Sequence, residues 1–164
     1  MKFNLTADEV FEIAEQIERN GAAFYYKASQ IAQNELANQL MLTLAKKEEE
    51  HEVTFAMLRK HLADDRFGAE IIEPGSDVEK YLHTLANTRV FDARRKASDI
   101  LTGSESLEQI LQTAIQFEKD SILYYLGLKN VVRNGNDKEH INTIIYEEVS
   151  HISDLSTLLR NLSF

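Results

Sequence analysis

Six residues carry the chemistry that this sequence offers. Glu48 and His51 lie three positions apart, and so do Glu148 and His151. Glu18 and Glu118 each stand thirty residues ahead of such a pair. Three positions turn a helix by about 300°, so a Glu and a His at this spacing leave one face less than a turn apart. Four carboxylates and two imidazoles are enough to hold two divalent ions. Oxygen and imidazole ligands without thiolate suit iron or manganese, with zinc as a substitute. The chain has no cysteine, which excludes disulfides, thiolate zinc sites and cysteine-bound iron–sulfur clusters.

These residues need long helices to bring them together, and the sequence supplies the signals. Thr6-Ala7-Asp8-Glu9 reads as a capping box. Apolar residues then recur at Val10, Ile13, Ala14, Ile17, Gly21, Phe24, Tyr25, Ala28 and Ile31, the spacing of an amphipathic helix running to about Asn34. A second helix is expected from Glu35 to His61, with a stripe of Leu36, Leu40, Leu44, then Val53 or Phe55, and Leu58. The connection is so short that the two must form an antiparallel hairpin. Ala63 to Ser76 is turn-rich, and Ser76-Asp77-Val78-Glu79 looks like another capping box, opening a short helix to about Asn87. A further short segment is expected over Val90 to Leu101. A third long helix spans about Glu105 to Val132 and a fourth about Asp137 to Asn161, with Asn134-Gly135-Asn136 as the turn between them.

The offset of one hundred extends beyond the Glu and His residues. Gln16, Glu18 and Tyr25 recur as Gln116, Glu118 and Tyr125, while Arg19, Asn20 and Phe24 are matched in kind by Lys119, Asp120 and Tyr124. Two related hairpins joined by a long crossover make an all-α four-helix bundle, read as one domain over residues 1–164. Taken alone, Glu48-Glu49-Glu50-His51-Glu52 reads as a solvated acidic face. In the fourth helix, however, Glu148 and His151 fall inside the apolar stripe, where an unpaired charge would cost several kcal/mol. The matched pairs favour metal binding. His61, His83 and His140 lie at helix ends or in the crossover and read as surface residues. Tyr25 and Tyr125 follow their glutamates by two turns, as core packing, as hydrogen bonds to a ligand carboxylate, or as an electron and radical relay. Glu147 lies four residues before His151. It reads either as the acceptor for that ring's outer N–H or as a solvated residue, whereas Lys47, its pair, could not accept such a bond.

Bulk properties exclude other classes. A net charge of −9 argues against nucleic acid. One proline and six glycines leave few turns. No apolar run at the N-terminus suggests a signal peptide, and no stretch is long enough for a membrane span, so a cytoplasmic setting is expected.

The sequence resembles the ferritin-like superfamily, most closely its rubrerythrin-related branch. The resemblance rests on Ile17-Glu18-Arg19-Asn20-Gly21-Ala22-Ala23-Phe24-Tyr25, Glu48-Glu49-Glu50-His51, Phe117-Glu118-Lys119-Asp120-Ser121 and Glu147-Glu148-Val149-Ser150-His151. It spans about Glu12 to Leu159. It implies a ferritin-like four-helix bundle of two antiparallel hairpins joined by a long crossover with short helices. It also implies two iron ions, with Glu48 and Glu148 bridging, Glu18 and Glu118 terminal, and one histidine per iron. The activity implied is oxidoreduction with hydrogen peroxide or oxygen, with an external electron donor and a homodimer or higher homo-oligomer. A ferroxidase of the iron-storage type, an oxygenase acting on an organic substrate and a metal-binding protein without turnover are the alternatives. The chain departs from rubrerythrins twice. It lacks the four-cysteine rubredoxin iron, and Ser121 stands where rubrerythrins carry a further glutamate. Haem is not expected, because Glu49 occupies the place of a haem-binding methionine.

Overall fold

The computed structural model describes residues 6–64, 75–87 and 97–162. Over these residues the chain forms α1 (Ala7–Ile31), α2 (Glu35–Asp64), α3 (Asp77–Asn87), α4 (Ala97–Ile100), α5 (Leu107–Lys129) and α6 (Gly135–Asn161).

Each long helix starts where a side chain satisfies free amides. At α1 the Thr6 hydroxyl accepts from the Glu9 amide, and the Glu9 carboxylate accepts from the Thr6 amide. Ser106 and Gln109 repeat this box at α5, so that helix starts two residues later than its expected Glu105. The helix expected to reach Asn34 stops at Ile31, because Asn34 caps the next one by accepting from the Ala37 amide (3.1 Å). Asn134 likewise caps α6, which begins at Gly135 rather than Asp137. α2 runs three residues beyond its expected end at His61, and α5 stops at Lys129, short of Val132. Most of the segment expected over Val90 to Leu101 lies outside the described residues, as does most of the turn-rich stretch from Ala63 to Ser76.

Two hairpins, α1–α2 and α5–α6, pack together through α1 on α5 and α2 on α6. Both contacts are antiparallel. Along α1 and α5, Val10 meets Tyr124, Glu18 meets Tyr125 and Tyr25 meets Glu118. Along α2 and α6, Glu48 meets His151, His51 meets Glu147 and His61 meets Asp137. In the crossover, α3 lies on α5 and α4 on α1, with the Lys27 ammonium donating to the Leu101 carbonyl.

The core is in two parts. Val10, Phe11, Ala14, Phe55, Leu58, Tyr124, Leu128, Ile141 and Ile144 fill one. Phe24, Ala28, Met41, Leu44, Ile110, Leu111, Ala114 and Leu155 fill the other. Residues one hundred apart, such as Val10 and Ile110, fall in opposite parts, so a pseudo-twofold axis exchanges them. The six chemical residues lie along the helices between these apolar layers.

The stripe expected on α2 needs correction. Leu36 is 69% exposed, and the residue turned inward is Ala37. Of the two alternatives further on, Phe55 is buried and Val53 faces out. The true stripe is Ala37, Met41, Leu44, Glu48, His51, Phe55 and Leu58, so the Glu-x-x-His lies on it.

The seat of α3 on α5 depends on a missing side chain. A Cβ on Gly127 would lie 2.7 Å from the Tyr81 ring and 2.8 Å from a Leu82 methyl. Elsewhere in a helix interior, Gly to Ala gains roughly 1 kcal/mol. Here Gly127→Ala is expected to destabilise by about 1–2 kcal/mol through overpacking. Denaturant unfolding reads this directly, and a gain in stability would overturn the close approach.

Candidate metal centre

Four helices each contribute to one buried cluster: Glu18 from α1, Glu48 and His51 from α2, Glu118 from α5, and Glu148 and His151 from α6. All six are at most 5% exposed. Two overlapping groups could each hold an ion, Glu18, Glu48, His51 and Glu148 in one and Glu48, Glu118, Glu148 and His151 in the other. Glu48 and Glu148 belong to both.

The imidazoles turn Nδ1 inward. His51 Nδ1 lies 3.1 Å from Glu148 Oε1 and 3.5 Å from Glu18 Oε2. His151 Nδ1 lies 2.8 Å from Glu148 Oε2, 3.4 Å from Glu48 Oε1 and 3.6 Å from Glu118 Oε1. The two rings are stacked at 5.8 Å. Glu148 thus presents one oxygen to each half of the site.

Tyr25 and Tyr125 are buried in the core and also serve the site. The Tyr25 hydroxyl donates to Glu118 Oε1 and the Tyr125 hydroxyl to Glu18 Oε1. Each tyrosine therefore serves the glutamate of the other hairpin, not the one seven residues before it. Of the three readings of these residues, the structure shows packing and hydrogen bonding together and bears on no relay. The acidic run on α2 likewise divides: Glu48 and His51 point in, while Glu49, Glu50 and Glu52 pair with Tyr26, Lys47 and Arg19.

Two positions behave differently from the sequence reading. Glu147 does not serve His151. Its Oε2 lies 2.6 Å from Nε2 of His51, on the opposite hairpin. Antiparallel α2 and α6 put it there, since the residue before Glu148 faces the ring that Glu148 also meets. Gly21 was expected only as part of the apolar stripe. A Cβ there would lie 2.7 Å from Glu48 Oε2, so the glycine leaves room for that carboxylate. A glycine in the interior of a strong helix is the signal that marks such a close approach. At Ser121 the hydroxyl donates back to the Phe117 carbonyl, 3.1 Å away. His61 is exposed, whereas His83 and His140 are half-buried rather than fully on the surface.

The electrostatics follow from burial. Loss of water, together with the neighbouring Glu148 charge, pushes Glu118 up to about 8, and raises Glu18 and Glu48 above the usual carboxyl range. Burial acts on Glu148 in the same direction, but the two imidazoles that face its oxygens outweigh it and hold that carboxyl down to about 2. Burial alone would lower the imidazoles. The facing carboxylates win instead, raising His51 to about 11 and His151 to about 9. Without a cation, protons supply the compensating charge.

The donor set fits divalent ions. Glu18 Oε2, Glu48 Oε1, both Glu148 oxygens and both inward Nδ1 atoms are buried and lack a hydrogen-bond partner of good geometry. These are oxygens and imidazole nitrogens converging from four helices, the ligand types that iron, manganese and zinc accept.

Two outcomes are expected. Gly21→Ala should leave the helical signal intact yet weaken divalent-metal binding by about tenfold or more, as loss of ligand support commonly does. Unchanged affinity in a Co(II) titration would show that Glu48 needs no such seat. The second concerns pH. Glu118 and both histidines bind protons more tightly in the folded chain than in the unfolded one. Their stabilisation is complete below the ordinary values of 4.5 and 6.5 and is lost as pH rises through about 8, 9 and 11. Glu148 acts oppositely, its contribution being lost as pH falls from 4.5 through about 2. The melting temperature of chelator-treated protein should therefore fall from about pH 6 to pH 10, and two equivalents of a divalent ion should reverse the fall. A flat or rising profile would contradict this proton balance.

Comparison with known proteins bears on the fold. No protein-family model and no curated protein matches the chain. A 2.30 Å crystal structure from Thermotoga maritima, of a protein provisionally described as a ferritin-like diiron-carboxylate protein, superimposes with a TM-score of 0.67. The identity is 23%, and the match covers 98% of each chain. With the bundle and its buried cluster already in place, this similarity identifies the architecture: the chain has the ferritin-like fold.

Proposed function

We propose that this chain is a di-iron carboxylate oxidoreductase of the rubrerythrin-like kind. The observation that carries the reading is the placement of Glu148, whose Oε1 and Oε2 face the inward nitrogens of two different histidines. A carboxylate so placed can bridge two ions. Glu48, shared by both groups, would be the second bridge. Glu18 and Glu118 would be terminal ligands, each oriented by a tyrosine hydroxyl from the other hairpin. His51 and His151 would each hold one ion. Manganese or zinc could occupy the same ligands.

When bound, two iron ions would supply the electrons that reduce hydrogen peroxide or oxygen. The chain's own residues hold the positions. Their apolar neighbours on both sides keep water from the carboxylates, and Tyr25 and Tyr125 hold protons on oxygens next to the terminal ligands. Burial raises both phenols well above their usual range, with Glu118 and Glu18 as neighbouring charges, so these hydroxyls stay protonated donors. The chain has no cysteine to hold a rubredoxin-type iron, so turnover would draw on an external electron donor. We place this activity in the cytoplasm, in a homodimer or larger homo-oligomer. Among the described residues no helix is long and apolar enough to cross a membrane.

Reconstitution with Fe(II) under anaerobic conditions tests the proposal. Two irons per chain are expected, and fewer than one for Glu148→Ala. The di-ferrous protein, mixed in stopped flow with peroxide and with oxygen in parallel, should reoxidise with at least one of them. A di-ferrous form stable to both would make this a metal-binding protein without turnover, and rapid oxygen consumption without peroxide reactivity would favour the ferroxidase reading.

A further inference from the structure

The pseudo-twofold symmetry is broken beside the histidines. His51 Nε2, the outward ring nitrogen, meets Glu147 Oε2 at 2.6 Å. The residue related to Glu147 by the offset of one hundred is Lys47. Its ammonium pairs with Glu50 Oε2 at 2.8 Å and has no lone pair to offer an imidazole N–H. Among the described residues no carboxylate or carbonyl pairs with His151 Nε2. One histidine is thus braced from the opposite hairpin and the other is not.

The brace has a defined chemical effect. An acceptor on the outer nitrogen keeps the proton there, leaves Nδ1 as the lone-pair donor and holds the ring at one angle. It also makes the ring a better ligand. The charges act in the same direction. A carboxylate stands outside His51, whereas the residue related to it by the repeat is Lys47, a cation whose ammonium is drawn to Glu50 and Glu147. Both groups are partly exposed, at 39% for Glu147 and 40% for Lys47. Salt therefore weakens the charge effect, while the hydrogen bond persists.

We propose that Glu147 is a positioning residue for His51 and makes the two metal positions unequal, so that the position served by His51 fills first. The inference rests on the two-ion reading above. It identifies which ion is held more firmly and which would leave first under a chelator.

Stepwise titration of the chelator-treated protein with Co(II), by calorimetry against a competing chelator, tests it. Wild type should show two steps. Glu147→Ala should weaken the first by about tenfold to a hundredfold and leave the second within about twofold. Glu147→Gln keeps an acceptor oxygen without charge and should restore part of the loss. Lys47→Glu should tighten the second step and bring the two together. Proton NMR adds a signature that loss of fold would not mimic. Wild type with one equivalent of Co(II) should give one hyperfine-shifted, exchangeable imidazole N–H signal, absent from Glu147→Ala at an unchanged circular dichroism spectrum. Two bound ions whose affinities ignore both Glu147→Ala and Lys47→Glu would overturn the asymmetry alone. Failure of wild type to bind a second ion would overturn the two-ion reading and this inference with it.

Discussion

Four carboxylates set between two apolar layers cannot all remain charged unless positive charge meets them there. An uncompensated buried carboxylate costs several kcal/mol, comparable to the stabilisation from burying one or two large apolar side chains. The rest of the structure follows from that constraint. The imidazoles turn their inner nitrogens to the centre, Glu148 stays ionised between them, and the other glutamates hold protons more tightly than a free carboxyl does. Cations of charge two can replace those protons.

The pseudo-twofold axis explains how so short a chain builds such a site. One helical pattern, used twice, places a glutamate from the first helix of each hairpin against a tyrosine from the other. Antiparallel packing makes these contacts reciprocal. Departures from symmetry are then informative, because the backbone offers equal surroundings to both halves. Gly21 against Ser121 and Lys47 against Glu147 are two such departures, and both adjoin the cluster.

Much of this was legible in the sequence. The capping box at Thr6, the caps at Ser76 and Asn134 and the three-four spacing marked the helix starts, because those signals act locally. The Glu79 carboxylate, however, turns to the Gly75 amide rather than closing a box on Ser76, and Gly135 and Asn136 open α6 instead of forming a turn. The offset of one hundred drew Glu18, Glu48, His51, Glu118, Glu148 and His151 into one set, and the fold brings all six side chains together. What escaped depended on the contact between helices. On α2 the leucines drew the stripe one residue off its true line, because Leu36 is exposed while small Ala37 packs inward. Position in the sequence paired Glu147 with its own helix's histidine, whereas antiparallel packing delivers it to His51. Gly21 looked like a small stripe residue, and only the approach of Glu48 gives its missing Cβ a purpose.

The hydrogen bonds at the cluster that run from Tyr25, Tyr125 and Glu147 all cross from one hairpin to the other. Within a hairpin, the contacts close after a short loop, so each can assemble from neighbouring sequence. Docking the hairpins must close a much longer chain segment, the crossover. Completion of the site is therefore the same event as completion of the bundle. An isolated hairpin holds three of the six groups and none of these three braces. The chemical centre is a latch between the two hairpins, and a cation seated in it would help to hold the two halves shut.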